Sequence, residues 1–355
     1  MAKRMGAVRI ALTYAGCMIG AGFVSGQELW QYFGAYGKNG VISLVLSFAI
    51  LGAATLALTL LSRKAGVTNM EDLLLAGNHP LARNLLGDAA ALIIFSNVSI
   101  MIAGIGALAE QSTGIPRAVT NLVVTAAIGC CSCFGIGGMM TVFDILVPLL
   151  VVSTLALCGV RLGKTGLSGI TFPDAGAVNP MLGGWGLASV NYAAMNYFGV
   201  LTVFPPIAQK TGNKHTLTAA ISIGTAMLIA SGLGITLTLS ASGDAVMREI
   251  PMQQVAEESG RAAGVTIALM LFAAMFGVGV SYQVSAMSYL EGRIQNLHKL
   301  PTNIALLALS YALSLVGFGD LISFLYPVFG YFGMGLILLI AYRCAAVYRN
   351  SRNHP

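Results

Sequence analysis

The sequence predicts an all-α integral membrane protein of ten transmembrane helices, arranged as two five-span halves with the second inverted relative to the first. Three observations carry this. Of 355 residues, 56% are hydrophobic and only 9% charged, whereas soluble domains carry about 25% charged residues. Ten apolar stretches follow one another, most of them longer than the roughly 18 residues that read as a membrane helix. Acidic residues and prolines recur at matched places in the two halves.

The stretches lie near residues 7 to 34, 41 to 61, 84 to 112, 117 to 134, 139 to 161, 183 to 209, 216 to 240, 262 to 291, 302 to 318 and 321 to 342. Leu, Ala, Gly, Met and Val run through them without the short alternating segments of a β-barrel. The first follows Lys3 and Arg4 as a signal peptide would, but glycines interrupt it and no A-x-A-like cleavage site follows, so it reads as an uncleaved helix. Residues 62 to 83 read as a loop with one short amphipathic helix, and 241 to 261 as an outer loop helix near the entrance.

With the N-terminus cytoplasmic, lysines and arginines such as Arg63, Lys64, Lys210, Lys214 and Arg293 fall inside. Only Lys38, Arg117, Arg161, Lys164, Arg248 and Arg261 fall outside. The positive-inside rule then places both termini in the cytoplasm of a multi-pass protein of the bacterial inner membrane. The net charge of +6 reports topology, and no nucleic-acid partner is implied. Cys130 and Cys133 form a C-x-x-C, but a structural zinc site needs four ligands and no histidine lies in a span. The cysteines read as small packing residues, and no metal or resident cofactor is expected.

The halves divide as 1–165 and 166–355. Asp144 and Asp320 open the fifth and tenth spans, Pro148 and Pro327 follow them, and Glu110 and Glu291 end the third and eighth. Five spans is an odd number, so the second half enters the membrane from the opposite side, a layout that recurs in secondary transporters.

Span one covers residues 6 to 34, about 43 Å at about 1.5 Å per residue, which exceeds a hydrocarbon core of about 30 Å. Its middle reads Ile19-Gly20-Ala21-Gly22-Phe23-Val24-Ser25-Gly26. Glycine disfavours a helix interior, and Ser25-Gly26-Gln27-Glu28 has the form of a capping box. A helix ending near Ile19 and restarting near Ser25 would offer the carbonyls of Gly16 to Ile19 to a cation and the amides beyond the break to an anion. Span six holds Asn196-Tyr197-Phe198-Gly199 at the corresponding place, with Pro205-Pro206 closing its inner end. Paired interruptions of this kind point to a transporter's binding site. The substrate-binding candidates are therefore Gly20, Ala21, Gly22, Phe23, Ser25, Asn196, Tyr197, Phe198 and Gly199. The competing readings are a glycine seam for close helix packing and a bundle-facing Asn196 satisfied by a neighbouring carbonyl.

The run from Tyr14-Ala15-Gly16 through Ile19-Gly20-Ala21-Gly22-Phe23-Val24-Ser25-Gly26-Gln27-Glu28 resembles the opening signature of the YkvI-type amino-acid permease family. More distantly it resembles the amino acid, polyamine and organocation superfamily with the LeuT fold. The resemblance implies a 5+5 inverted repeat in which spans one, two, six and seven rock against a scaffold of three, four, eight and nine. It also implies a cation site between the carbonyls of Gly16 and Ile19 and the hydroxyls of Ser281 and Ser285, with Tyr282 standing where many sodium carriers have a second hydroxyl.

Ionisable groups inside spans are functional candidates by default. Asp144, with no basic residue near it in sequence, and Glu28 are the candidates for proton coupling. A Glu28 turned into the cavity would favour a cationic cargo group over a carboxylate. The leading function is secondary active transport of amino acids or related small amines, coupled to Na+ or H+. No Walker A pattern appears. The alternatives are an ion channel or ligand-sensing receptor on the same fold, and an intramembrane aspartyl protease suggested by the G-x-G-D ending at Asp320. Catalysis by the last needs two carboxylates about 3 Å apart, and Asp144 and Asp320 are expected at opposite faces, so a non-enzyme is expected.

Overall fold

The computed structural model describes residues 6–67, 80–132, 139–166, 169–172, 178–211 and 213–353, with backbone alone at 80–83, 139–147, 202 and 346–353. Among the described residues all regular structure is helical. In chain order the helices are α1 (Ala7–Met18), α2 (Ala21–Ser25), α3 (Gln27–Tyr32), α4 (Lys38–Ala65), α5 (Pro80–Thr113), α6 (Arg117–Ser132) and α7 (Met139–Thr165). They continue as α8 (Trp185–Lys210), α9 (Lys214–Ser240), α10 (Pro251–Ser259), α11 (Arg261–Arg293), α12 (Lys299–Ser314) and α13 (Phe318–Asn353).

Among the described residues six helices are long and apolar enough to cross a membrane: α4, α5, α7, α9, α11 and α13. The bent α8 is a seventh if its two arms form one span. α1 and α6 are apolar but shorter, and α12 has 16 residues, about 24 Å at about 1.5 Å each. Apolar side chains point outward along these helices, among them Leu92, Val123, Val152, Leu269 and Leu338. Water would penalise that surface and lipid would not. The helix expected in the 241 to 261 loop is α10; of the 62 to 83 loop, residues 68–79 lie outside the described residues.

The first segment is interrupted twice. α1 stops at Met18, and Ile19 (ψ 82°) and Gly20 (ψ −176°) leave helical geometry before α2 begins. Gly26 then takes φ +83° and separates α2 from α3, a left-handed conformation that glycine adopts without a Cβ penalty. This corrects the capping-box expectation. The residue before α3 is Gly26, not Ser25; the Ser25 hydroxyl donates back to the Gly22 carbonyl at 2.8 Å, and Glu28 is drawn away to Tyr192.

The interruption expected at Asn196–Gly199 is also corrected. α8 is helical through those residues, and its arms Trp185–Leu201 and Val203–Lys210 meet at 57°. Pro205 and Pro206 explain the position: neither has an N–H to give the carbonyls of Leu201 and Thr202, so the ladder opens there.

Packing sorts most helices into two groups. α4 lies alongside and parallel to α8, with the Ser43 hydroxyl donating to the Trp185 carbonyl (2.9 Å) at one end and Gln209 to the Ser62 carbonyl (2.5 Å) at the other. α1 packs on α9, where Tyr14 fills the space beside Gly224, and α9 also packs on α4. In the second group α5 runs antiparallel to α11, with Arg293 near Asp88 (3.7 Å) at one end and Gly104 against Met275 farther along. α6 pairs with α12 through Asn121 and the Ser314 hydroxyl (3.0 Å) and through Asn303 and Ser132 (3.3 Å).

α13 joins the groups, touching α8, α4 and α5. Its contact with α8 is close: a Cβ on Gly333 would strike the Ala194 backbone, and one on Gly330 would strike Asn191. Pro327 cannot donate to the Ser323 carbonyl, and Asn179 supplies the missing hydrogen bond at 2.7 Å. The buried Asn191 donates to the Pro327 carbonyl (3.0 Å) and accepts from the Tyr32 hydroxyl (2.9 Å), tying α3, α8 and α13 together. Asn191→Leu leaves the Tyr32 hydroxyl buried and unpaired and takes a second bond from the Pro327 carbonyl, and the expected loss is on the order of 2 kcal/mol. A thermal unfolding midpoint in detergent equal to that of the wild type would refute it.

At the end of the bundle bearing Arg117, that guanidinium bridges Glu110 (2.7 Å) and Glu249 (2.6 Å). The other Glu249 oxygen accepts the Phe318 N–H at 2.9 Å. One arginine thus connects the end of α5, the start of α6, the segment before α10 and the start of α13. α10 itself packs on α11 and α2, and its Met252 abuts Gly26.

Candidate functional site

Where α1 stops, the bundle encloses a cavity of about 160 Å³. Its wall is built from Cys17 and Met18 at the end of α1, Gly20, Ala21 and Gly22 at the break, and Glu28 of α3. α5 contributes Ile93, Asn97 and Met101; α8 contributes Met195, Asn196, Phe198 and Gly199; α11 contributes Val278 and Tyr282; α13 contributes Tyr326 and Phe329. The chain ends of α1 approach α8 at its least bulky point, since a Cβ on Gly199 would sit 3.4 Å from the Cys17 carbonyl oxygen.

Six of the nine residues expected to bind substrate meet at this cavity: Gly20, Ala21, Gly22, Asn196, Phe198 and Gly199. Three are turned elsewhere. Phe23 packs on Phe48 with ring centroids 6.3 Å apart. The Ser25 hydroxyl is bonded to Gly22. The Tyr197 hydroxyl donates to the Ala54 carbonyl of α4 at 3.2 Å. Because α8 stays helical here, residues three apart share a face, which brings Asn196 and Gly199 to the cavity and sends Tyr197 to α4.

Of the residues expected to hold a cation, Gly16 and Ile19 end α1, and Ile19 lines a separate narrow apolar gap with Phe23 and Val151. Ser281 and Ser285 stand one turn apart on α11, the Ser285 hydroxyl donating to the Ser281 carbonyl at 2.8 Å; the α11 residues at the cavity are Val278 and Tyr282. The Asp144 side chain lies outside the described residues. Asp320 belongs to a polar pocket with Gln27, Gln31 and Glu249 at the Arg117 end.

Glu28 is 5% exposed and sits against the wall at Gly22. Its Oε1 accepts the Tyr192 hydroxyl at 2.8 Å. A Cβ on Gly22 would lie 2.6 Å from Glu28 Oε2 and 3.3 Å from the Tyr326 hydroxyl. Tyr192 is fixed by the rings of Tyr32, Phe33 and Phe48 at centroid distances of 5.1, 4.9 and 5.8 Å. Asn97 and Asn196 each use an amide N–H on their own helix, to the Ile93 carbonyl (2.8 Å) and the Tyr192 carbonyl (3.0 Å). Phe198 stacks on Phe332, centroids 5.6 Å apart and planes within 8°.

Sequence reasoning missed Asn97, Met101, Tyr326 and Phe329. Asn97 had a signal, a lone amide in a strongly apolar stretch, which in a span reads as a functional candidate. The others are ordinary apolar or aromatic side chains that only tertiary packing brings together.

No protein-family model matches the chain. It is 25% identical over 337 residues to the membrane protein YkvI of Bacillus subtilis (strain 168), covering 93% of this chain and 94% of that one. It is 23% identical over 330 residues to YyaD of the same organism, again covering 93% and 94%. Among solved structures it superposes on MhsT in complex with L-phenylalanine with a TM-score of 0.59 at 17% identity, covering 94% of this chain and 89% of MhsT. A Na+-coupled sialic acid symporter in a substrate-bound outward-open state gives 0.56 at 13%, covering 94% and 78%. The inward-facing conformation of Mhp1 gives 0.55 at 12%, covering 95% and 76%. The chain is a multi-pass membrane protein similar to YkvI, and its fold is that of the LeuT-type carriers.

Proposed function

We propose that this protein is a secondary active transporter of amino acids or related small amines, working by alternating access with Na+ or H+ as the coupling ion. The observation that carries the reading is the cavity at the end of α1. A helix that stops inside a bilayer leaves backbone groups that must face protein or a water-filled space. Here the break at Ile19–Gly20 opens onto the cavity walled by α1, α2, α3, α5, α8, α11 and α13.

The packing pattern supports the motion. In a ten-span reading, α1 to α3 form span one, and α4, α8 and α9 form spans two, six and seven; α5, α6, α11 and α12 form spans three, four, eight and nine. Exchanging the halves then turns the α4–α8 contact into the α1–α9 contact, and the α5–α12 contact into the α6–α11 contact, as an inverted 5+5 repeat requires. The two packed groups are the bodies that would rock about the cavity. In this reading the bend of α8 serves as the second interruption of the pair.

Counterflow in proteoliposomes tests this. Vesicles loaded with unlabelled substrate are expected to accumulate labelled substrate transiently above equilibrium, with the rate changing when Na+ is removed or the proton gradient is collapsed. Binding without exchange would replace the carrier by a receptor, and uptake without counterflow would replace it by a channel.

A further inference from the structure

We propose that the cavity binds the protonated nitrogen of a small amine on Glu28, and that it selects a cargo of net positive charge over a zwitterion. The proposal rests on the carrier reading for its transport consequence, but the binding site stands on its own geometry.

Among the described residues lining the cavity, Glu28 is the sole carboxylate, and no Lys, Arg or His joins it. Among the described residues Glu28 forms no ion pair. A carboxylate that is 5% exposed and without a counter-ion is strongly disfavoured in a low-dielectric interior. A cation arriving in the cavity supplies what the protein does not.

Tyr192, itself held by three rings, pins Glu28 Oε1. That fixes Oε2 over Gly22 at the wall, beside the Tyr326 hydroxyl. Asn97 and Asn196 have each given one N–H to their own helix, which leaves each an amide oxygen and a second N–H. Glu28 Oε2 and these amide oxygens can take the donors of an ammonium, whereas a carboxylate placed beside Oε2 would meet a like charge.

The cavity also has room for a ligand. A water needs roughly 10–15 Å³ of such volume, so about 160 Å³ exceeds the need of a bare ion and suits a multi-atom ligand. The rest of the wall, with Met18, Met101, Met195, Phe198 and Phe329, is apolar and soft. Tyr282 and Tyr326 complete the wall.

The test is equilibrium binding to the purified full chain, read by thermal shift and calorimetry, with three probes on one carbon frame: phenethylamine, L-phenylalanine and 2-phenylethanol. A series from ethylamine upward, with putrescine, covers smaller and doubly charged cargo. At least one amine is expected to bind about tenfold or more tightly than its matched zwitterion or alcohol, and Glu28→Gln is expected to remove that preference. Glu28→Asp, which keeps the charge, guards against misfolding of the first variant and should retain the preference in weakened form.

L-phenylalanine binding as well as phenethylamine, an amine affinity unchanged in Glu28→Gln, or no amine stabilising the wild type would each overturn the proposal. The two readings fail separately. Amine binding with no counterflow of any bound probe would remove the carrier and leave the site. Counterflow of a zwitterion that survives Glu28→Gln would leave the carrier and remove the assignment.

Discussion

Gly22→Ala is expected to abolish substrate exchange in a protein that still folds. The new methyl would stand 2.6 Å from Glu28 Oε2 and 3.3 Å from the Tyr326 hydroxyl. The carboxylate can retreat only by giving up the Tyr192 hydroxyl, and Tyr192 cannot follow because its ring is packed on three others. Folding should be spared: Gly22 is inside α2, where alanine is favoured over glycine by about 0.5–1 kcal/mol. The expected result is a counterflow rate down by about tenfold or more, equivalent to about 1.4 kcal/mol, at an unchanged unfolding midpoint. Wild-type exchange by Gly22→Ala would show that the carboxylate's position is immaterial.

Gly333→Ala should do the opposite, unfolding the protein rather than disabling a folded one. The added atom would meet the Ala194 carbonyl group, with its carbon 2.6 Å away. The obstacle is helix backbone, so no rotamer change relieves it and α13 must move off α8. Overpacking usually costs about 1–3 kcal/mol, and this contact belongs at or above the top of that range. Gly335→Ala, two residues on, meets nothing within 4 Å and is the control. The check is the yield and unfolding midpoint of the two variants purified together. Equal values would mean that the α8–α13 contact is looser than described.

These two glycines also mark what local sequence pattern conveys and what it omits. The break at Gly20 was legible because glycines crowd the middle of a stretch too long for one span, a property of consecutive residues. The single gap expected from Ile19 to Ser25 is instead filled by the short α2, with a further break at Gly26. The capping box around Ser25 is a pattern of residue types, whereas Gly26 is set by backbone conformation and by α10 lying against it. In α8, Asn196-Tyr197-Phe198-Gly199 looked like an interruption, yet flanking helix formers carry the helix through it, and the prolines move the bend to residue 202.

Glu28 was legible as an ionisable group in a span, but not its surroundings. Tyr192 and Tyr326 reach it from helices far away in sequence, and nothing in either local stretch distinguishes them from other buried tyrosines. The outward apolar faces, which follow directly from composition, needed no such convergence.

The shortness of α2 carries a consequence for measurement. A helix leaves its first amides without partners inside itself, and in a five-residue helix those are most of the amides there are. Val24 closes the first turn onto the Gly20 carbonyl at 3.1 Å, while Ala21, Gly22 and Phe23 precede that bond. In deuterated buffer these three positions should label quickly whenever solvent fills the space beside them, and slowly once an occupant displaces it. The peptide containing Ala21 to Phe23 would then act as a built-in gauge of occupancy, readable by mass spectrometry without a labelled cargo.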